Sequence, residues 1–351
     1  AKLENTVKGS KYLPKWVGEL YLEYHRGTYT SMARNKRYNR KSEFLYQDTE
    51  FLSSLSMLLG NEYPQQAINQ GWETILLNQF HDIIPGSSIK EVYEDSKKQY
   101  EEILNIGNQL AAKAADEIGS QIDLKEQSVV VYNTLPFKRD DVVTFEVSAG
   151  IENPCILDET GKTLPCQLIE ENDKKKAMFF AQGLPSKGYK SYTLQDKEVE
   201  QDTSMKVSST HLENKYFSME IDDKGTFTSI FDKVNKREVL HAGQRGNQMQ
   251  AFEDKPMKWD NWDIDLFYQE KMWEVDKVEK VEVLENGPVR SGIRVYKKFM
   301  DSTIIQNIYI YEDIPRIDFD TFVDWKEDQV LLKAAFPVDI HADKATYDIQ
   351  F

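Results

Sequence analysis

Two periods of apolar spacing divide the chain, and the change from one to the other falls just after residue 119. Before that point apolar residues recur every three or four positions, the spacing of one helix face. Phe44, Phe51, Leu55 and Leu58 form one seam, with Leu45, Leu52 and Leu59 as a neighbouring column at sevens. This core stripe predicts a first helix that starts behind the hydroxyl cap of Gly27-Thr28-Tyr29-Thr30-Ser31 and stops at Gly60-Asn61. Pro64 suits the first turn of a second helix. Its buried face is Ile68, Trp72 and Ile75, and it ends on the doublet His81-Asp82, ahead of the Pro85-Gly86 break. Ser88 is the predicted cap of a third helix with Glu91 in capping-box position, and Val92, Tyr100, Ile103, Ile106, Leu110 and Ala114 carry its apolar face toward Ile118. Three long helices with short connections predict an antiparallel three-helix bundle over residues 28–119.

Beyond it the texture is alternation, which places a domain boundary between Gly119 and Ser128. Val129 to Tyr132, Val142 to Val147, Ala177 to Phe180 and Tyr189 to Leu194 read as short strands separated by Pro, Gly and Asn. Asp222-Asp223-Lys224-Gly225 separates two alternating runs as a hairpin turn does. Longer strands are predicted over Val289 to Met300, Ile304 to Tyr311, Ile317 to Trp325 and Leu331 to Val338. The fold class is therefore α+β and multidomain. A leading segment (1–27) precedes the three-helix bundle (28–119), a small β-domain (128–197) and a large antiparallel β-sandwich (210–351), with the polar stretch Glu198 to Ser209 as a linker.

Charge narrows the partners. The formal net charge is −15 over 351 residues, so the chain would repel phosphates instead of releasing their counterions, which excludes nucleic acid and anionic membranes and favours a neutral substrate. No apolar run approaches the roughly 18 to 20 residues of a membrane span, and no signal peptide is visible. Two cysteines, Cys155 and Cys166, in a chain of this length suit a reducing compartment and predict a cytoplasmic protein. The chain opens on Ala1 and the alternation over 345–351 stops without a turn, so it reads as a piece of a longer polypeptide.

Candidate chemistry centres on His81-Asp82. An imidazole at a helix end can ligate a metal, and an adjacent carboxylate can orient it or accept hydrogen bonds from a polyol. The plainer alternative is a histidine complementing the helix dipole beside a solvated Asp. Glu19 and Glu23 stand at i, i+4, which on a helix would pair two carboxylates as glycosidases require, or leave two solvated acids beside Arg26. Trp259-Asp260-Asn261-Trp262-Asp263 offers aromatic faces among carboxylates, suited to sugar contacts or to plugging a domain interface. His211, His241 and His341 have no paired ligand at metal spacing. A His-Asp metallophosphohydrolase needs further ligands on neighbouring helices, and the bundle offers only His25 besides His81. A non-catalytic carbohydrate-binding or scaffolding module remains the alternative to an enzyme, since no nucleophile is evident.

The stretch LLNQFHDIIPGSSI, from Leu76, resembles a signature of glycoside hydrolase family 38, the α-mannosidases, in its bacterial and cytosolic branch. Four further stretches are similar in the same order: GELYLEYHRGTYTSMARNKRYNR from Gly18, VVVYNTLPFKR from Val129, FEDKPMKWDNWDID from Phe252 and LLKAAFPVDIHADKATYDIQF from Leu331. The resemblance implies a retaining, zinc-dependent enzyme acting on mannose-containing oligosaccharides, of which this chain would hold the middle and C-terminal domains. His81 would be one ligand to the single zinc ion. A His-x-Asp pair and the nucleophilic Asp would come from an N-terminal catalytic domain outside this chain, so no catalytic residue is assigned within it. Asp82 becomes a candidate acceptor for the bound sugar, and Trp259 and Trp262 candidate walls of the cleft. His25 stands where the Golgi and lysosomal branches carry a Trp that packs on the substrate ring, which leaves a hydrogen-bonding role or a surface position. Assembly into a homo-oligomer is left open.

Overall fold

The computed structural model describes residues 6–10, 25–124, 127–148, 150–171, 173–200 and 202–344. Glu19, Glu23 and the alternation at 345–351 lie outside the described residues. Three helices come first: α1 (Ala33–Leu58), α2 (Gln65–Asn78) and α3 (Lys90–Gly119). Among the described residues the regular elements after them are all β-strands apart from a single 3-10 turn at Leu266–Glu270.

The helices meet through Tyr46, Ile75, Tyr100 and Ile103, with Leu52, Ala114 and Ile118 forming a second cluster toward the β-region. The apolar seam expected on α1 is buried only in part: Leu52 is buried, and Leu45, Phe51 and Leu55 pack against the two clusters. Phe44 and Leu58 are 54% and 78% exposed, whereas Asn35, Ser42, Tyr46, Thr49, Ser53 and Ser56 are buried. These positions are spaced at helical intervals, so a true interior stripe exists but is written mostly in small and polar side chains. Several of its polar groups find partners, while Ser42 Oγ, Ser53 Oγ and Asn35 Nδ2 make no hydrogen bond among the described residues. Ser96 Oγ donates to Asn35 Oδ1 (3.0 Å), Tyr46 OH to the Ile103 carbonyl (2.9 Å), Thr49 Oγ1 to the Leu45 carbonyl (2.7 Å), and Ser56 bonds Glu117. Small residues also allow close approach: a Cβ on Gly71 of α2 would lie 1.9 Å from the Tyr46 ring.

The expected caps are replaced too. Met32, in a left-handed conformation, precedes α1 with no side-chain cap, and Ile89 precedes α3 likewise. Thr28 and Ser88 spend their hydroxyls elsewhere, on the carbonyls of His25 and Asp82.

The strands are β1 (Ser128–Asn133), β2 (Arg139–Glu146), β3 (Pro154–Leu157), β4 (Thr163–Leu164), β5 (Cys166–Glu171), β6 (Lys174–Leu184), β7 (Gly188–Asp196), β8 (Lys206–Val207), β9 (His211–Glu213) and β10 (Phe217–Ile221). They continue with β11 (Phe227–Asp232), β12 (Arg237–Glu238), β13 (Gln248–Glu253), β14 (Met272–Glu274), β15 (Lys277–Asn286), β16 (Arg290–Phe299), β17 (Ser302–Tyr311), β18 (Ile317–Asp324) and β19 (Val330–Ala335). All pair antiparallel, in sheets ordered β1-β7-β3-β4, β2-β6-β5, β12-β11-β10-β9-β8, β15-β16-β17-β18 and β14-β13-β19.

Alternation decides which faces meet. Ala177, Phe179 and Ala181 of β6 share a core with Ile156 of β3 and with Tyr192 and Leu194 of β7, so the first two sheets face each other. Ile293, Val295, Ile308 and Ile310 of β16 and β17 likewise face Leu212, Met219, Phe227 and Ile230 of the five-stranded sheet. Asp222 makes the β10–β11 turn, its Oδ1 accepting from the backbone N–H of Lys224 and Thr226 while Gly225 takes φ +65°. Cys155 and Cys166 are buried free thiols, and burial pushes the Cys166 thiol up to about 12.

The helices are fixed to the β-region by Tyr132 OH, which donates to the Ala115 carbonyl (3.0 Å), and by Thr134 Oγ1, which donates to Asp48 (2.6 Å). No helix among the described residues is long and apolar enough to cross a membrane.

Candidate functional site

Three stretches of chain converge at one end of the helices: the turn before α1 (residues 25–36), the turn between α2 and α3 (79–89), and the loop after β13 (254–265). Gly27 N–H donates to the Trp262 carbonyl (2.9 Å), and its missing side chain lets that backbone pass: a Cβ would sit 3.1 Å from Trp262 C. Ser31 Oγ donates to the Asn261 carbonyl (2.9 Å), and Arg26 reaches Asp263 (3.9 Å) and the Ile264 carbonyl (3.3 Å). Lys36 Nζ then donates to the carbonyls of Ser31 (2.5 Å) and Ile84 (2.8 Å), joining the first stretch to the second. Burial holds this ammonium down to about 8.

The doublet is not in the last turn of α2. That helix stops at Asn78, whose amide donates to Thr74 O (3.0 Å) and Gln99 Oε1 (2.9 Å). His81-Asp82 sits beyond it in a chain of tight turns, where Ile83 and Ile84 N–H both donate to the Phe80 carbonyl. Even so the turn is braced. The Asp82 carbonyl accepts from Ser88 Oγ (2.6 Å) and Tyr93 OH (3.2 Å), and Asp82 Oδ1 accepts from Ser87 Oγ (3.2 Å). Gly86, at φ +95°, lies so close to Ser31 that a Cβ would stand 2.7 Å from it. His81 projects from this pedestal with its side chain 76% exposed, Nε2 3.3 Å from Asp82 Oδ2 and its ring 4.2 Å from that of Phe80.

Of the other residues singled out in the sequence, His25 and Trp262 are brought into ring contact, edge to face, with centroids 5.0 Å apart. Trp259 is exposed, takes φ +67°, and uses its carbonyl to accept from Trp262 and Asp263 N–H (2.8 and 2.9 Å). Among the described residues no group of three His, Cys, Asp or Glu converges into a metal-holding cluster.

Residues that build the pedestal escaped the sequence reading. Lys36, Ser87 and Tyr93 sit outside any apolar pattern, and only the hydroxyls following the Pro-Gly break hinted at them. Asp254 was missed as well. Burial, then the charges of Asp260, Asp263 and Asp265, pushes its carboxyl up to about 6.

Two family profiles match the chain in tandem, the alpha mannosidase middle domain over residues 23–118 and the glycosyl hydrolases family 38 C-terminal domain over residues 212–351. The chain belongs to glycosyl hydrolase family 38. To alpha-mannosidase 2C1 of Homo sapiens this member is 31% identical over 347 residues, 97% of this chain and 31% of that protein. To alpha-mannosidase G of Dictyostelium discoideum it is 30% identical over 379 residues, 97% of this chain and 34% of that protein. It thus spans about a third of the length of these curated relatives. The crystal structure of an alpha-mannosidase from Enterococcus faecalis V583 shares the fold at a TM-score of 0.73, with 16% identity, over 95% of this chain and 47% of that one.

Proposed function

We propose that this family 38 chain is the middle and C-terminal part of a zinc-dependent, retaining α-mannosidase that removes terminal α-D-mannosyl residues from oligosaccharides. The observation that carries this reading is the tandem of matched domains around an exposed His81-Asp82 doublet on a braced turn. The doublet fits a zinc ion as one contributor to its shell. Asp82 Oδ2 lies 3.3 Å from His81 Nε2, a carboxylate–imidazole neighbourhood that metal-bound histidines commonly show, and His81 would hold the ion. Zinc bound there supplies Lewis-acid contacts to sugar hydroxyls.

The chain's own groups do the positioning. Asp82 accepts a hydrogen bond from a mannose hydroxyl, Trp259 offers an exposed aromatic face, and His25 with Trp262 forms a wall. The two carboxylates of a retaining mechanism, about 5 to 5.5 Å apart, come from protein outside this chain, as do the other zinc ligands. Buried free thiols support a cytoplasmic setting.

The test is His81→Ala in the complete protein, read as bound zinc per subunit and as hydrolysis of a chromogenic α-mannoside. Both should fall strongly, while loss of a mere dipole contact would cost only about 0.3 to 1 kcal/mol of stability. Parental zinc content and turnover would make His81 structural. The 351-residue chain alone should not hydrolyse the substrate. A non-catalytic carbohydrate-binding module is the second reading, to which the exposed Trp259 face also conforms. Zinc-independent sugar binding by an inactive complete protein would establish it.

A further inference from the structure

A cleft of about 660 Å³ lies far along the chain from the His81 turn, between the β2-β6-β5 sheet and the outer face of the β15-β16-β17-β18 sheet. We propose that this cleft is a second carbohydrate site, taking a neutral oligosaccharide. Its volume falls within the roughly 300 to 1,000 Å³ of small-ligand sites.

Strand alternation builds its floor. Ile293, Ile308 and Phe319 turn to the core, so their neighbours Arg294, Asn307 and Asp320 turn outward. Register places these three side by side in a single row across β16, β17 and β18. Arg294 Nε donates to Asn307 Oδ1 (2.7 Å) and thereby fixes both side chains. Among the described residues the terminal nitrogens of Arg294, the amide nitrogen of Asn307 and the Asp320 carboxylate make no hydrogen bond or ion pair. A guanidinium, an amide and a carboxylate therefore stand ready in one line, two donors beside an acceptor.

The next row is spent. Asp318 accepts from Tyr311 OH (2.6 Å) and Arg316 Nε (2.7 Å), and Arg290 lies 3.9 Å over the Tyr309 ring while pairing with Glu285 (2.7 Å). Glu171, on the opposite wall, is engaged by Lys176 (2.6 Å). That wall adds the apolar surfaces of Leu168 and Met178 and Glu170, which makes no ion pair among the described residues. It is held at a set distance by Gln167, whose Nε2 donates to Glu285 (2.6 Å) and whose Oε1 accepts from Arg290 N–H (2.9 Å), and by the Arg316–Asp141 pair (3.7 Å). The cleft is thus preformed.

Charge selects the ligand. Uncommitted carboxylates outnumber the uncommitted guanidinium, which disfavours phosphate, and Arg294 in the row disfavours a cationic peptide. Vicinal hydroxyls, each able to donate and to accept, match the row. Only the inclusion of a mannoside among the probes rests on the proposed mannosidase function.

The experiment titrates the 351-residue chain with α-linked mannobiose, maltose and cellobiose, and with inorganic phosphate and trilysine, by calorimetry. At least one neutral disaccharide should bind saturably. Arg294→Met and Asp320→Asn should each weaken it about tenfold, the value of one hydrogen bond to a charged group. Asp320 is exposed, so its isosteric change keeps the test valid if the arginine variant folds poorly. Absence of saturable disaccharide binding, preference for phosphate or trilysine, or binding insensitive to Asp320→Asn would overturn the proposal. Mannoside hydrolysis by the complete protein without binding here would fail this inference alone; the reverse result would fail only the mannosidase reading.

Discussion

The imidazole of His25 meets the indole of Trp262 edge to face, at an interplanar angle of 83°, and so couples the turn before α1 to the loop after β13. Edge-to-face pairs contribute about 0.5 to 1.5 kcal/mol beyond their buried area. Trp262→Ala should therefore lower stability to chemical denaturation by more than that amount. Trp259→Ala, at an exposed position, should stay within about 0.5 kcal/mol. Equal losses would mean that the loop is not held by this contact.

Gly71→Ala should destabilise the helices although alanine is the better helix former. The propensity gain is about 1 kcal/mol. Against it stands a Cβ 1.9 Å from Tyr46, a ring that is fully buried and tied to Ile103, and overpacking typically costs about 1 to 3 kcal/mol. Urea titration of both proteins decides the sign, and a more stable variant would show that Tyr46 can move.

Asp254 makes stability fall as pH rises. Burial raises its carboxyl from 3.8 to about 6, so the folded state binds the extra proton between these values, and its contribution is lost as pH climbs through 6. Asp254→Asn should flatten the stability profile between about pH 4 and 6 and gain about 1 kcal/mol at pH 7, allowing for partial exposure. Melting temperatures measured across that range test it, and an unchanged profile would remove Asp254 from the account.

Lys297 acts in the opposite sense. Burial lowers its ammonium from 10.5 to about 8, and Nζ makes no hydrogen bond among the described residues. The unfolded chain holds the proton more tightly, so stability should rise as pH goes from 8 toward 10.5. Lys297→Met should abolish that rise and be more stable at pH 7 by about 1 to 3 kcal/mol. Denaturant titrations at pH 7 and 10 are the measurement, and a less stable Met variant at pH 7 would contradict it.

Alternation carried the β-region. The turn at Asp222 to Gly225 and the strands around Ile293, Ile308 and Phe179 follow directly from period-two burial, because one face of each strand is apolar. Helix α1 follows its apolar spacing only in part, for the converse reason. Its interior adds Ser42, Thr49, Ser53 and Ser56 to Leu52 while Phe44 and Leu58 face outward, so hydrophobicity marks only part of the buried side. At the candidate site the His-Asp doublet was visible as a motif, but its bracing by Lys36, Ser88 and Tyr93 depends on contacts between segments distant in sequence. The row Arg294, Asn307 and Asp320 was hidden likewise, since it exists only once three strands are in register.

The polar interior of α1 fixes how the helices may mate. Apolar seams tolerate sliding, since one methyl contact replaces another. Directional bonds do not: displacing α1 by one turn along α3 would separate Asn35 from Ser96, Tyr46 from Ile103 and Ser56 from Glu117 together. Each stranded buried group costs about 1 to 3 kcal/mol. The helices are keyed like a lock with several wards, and the turn that displays His81 inherits from them a single height and a single azimuth.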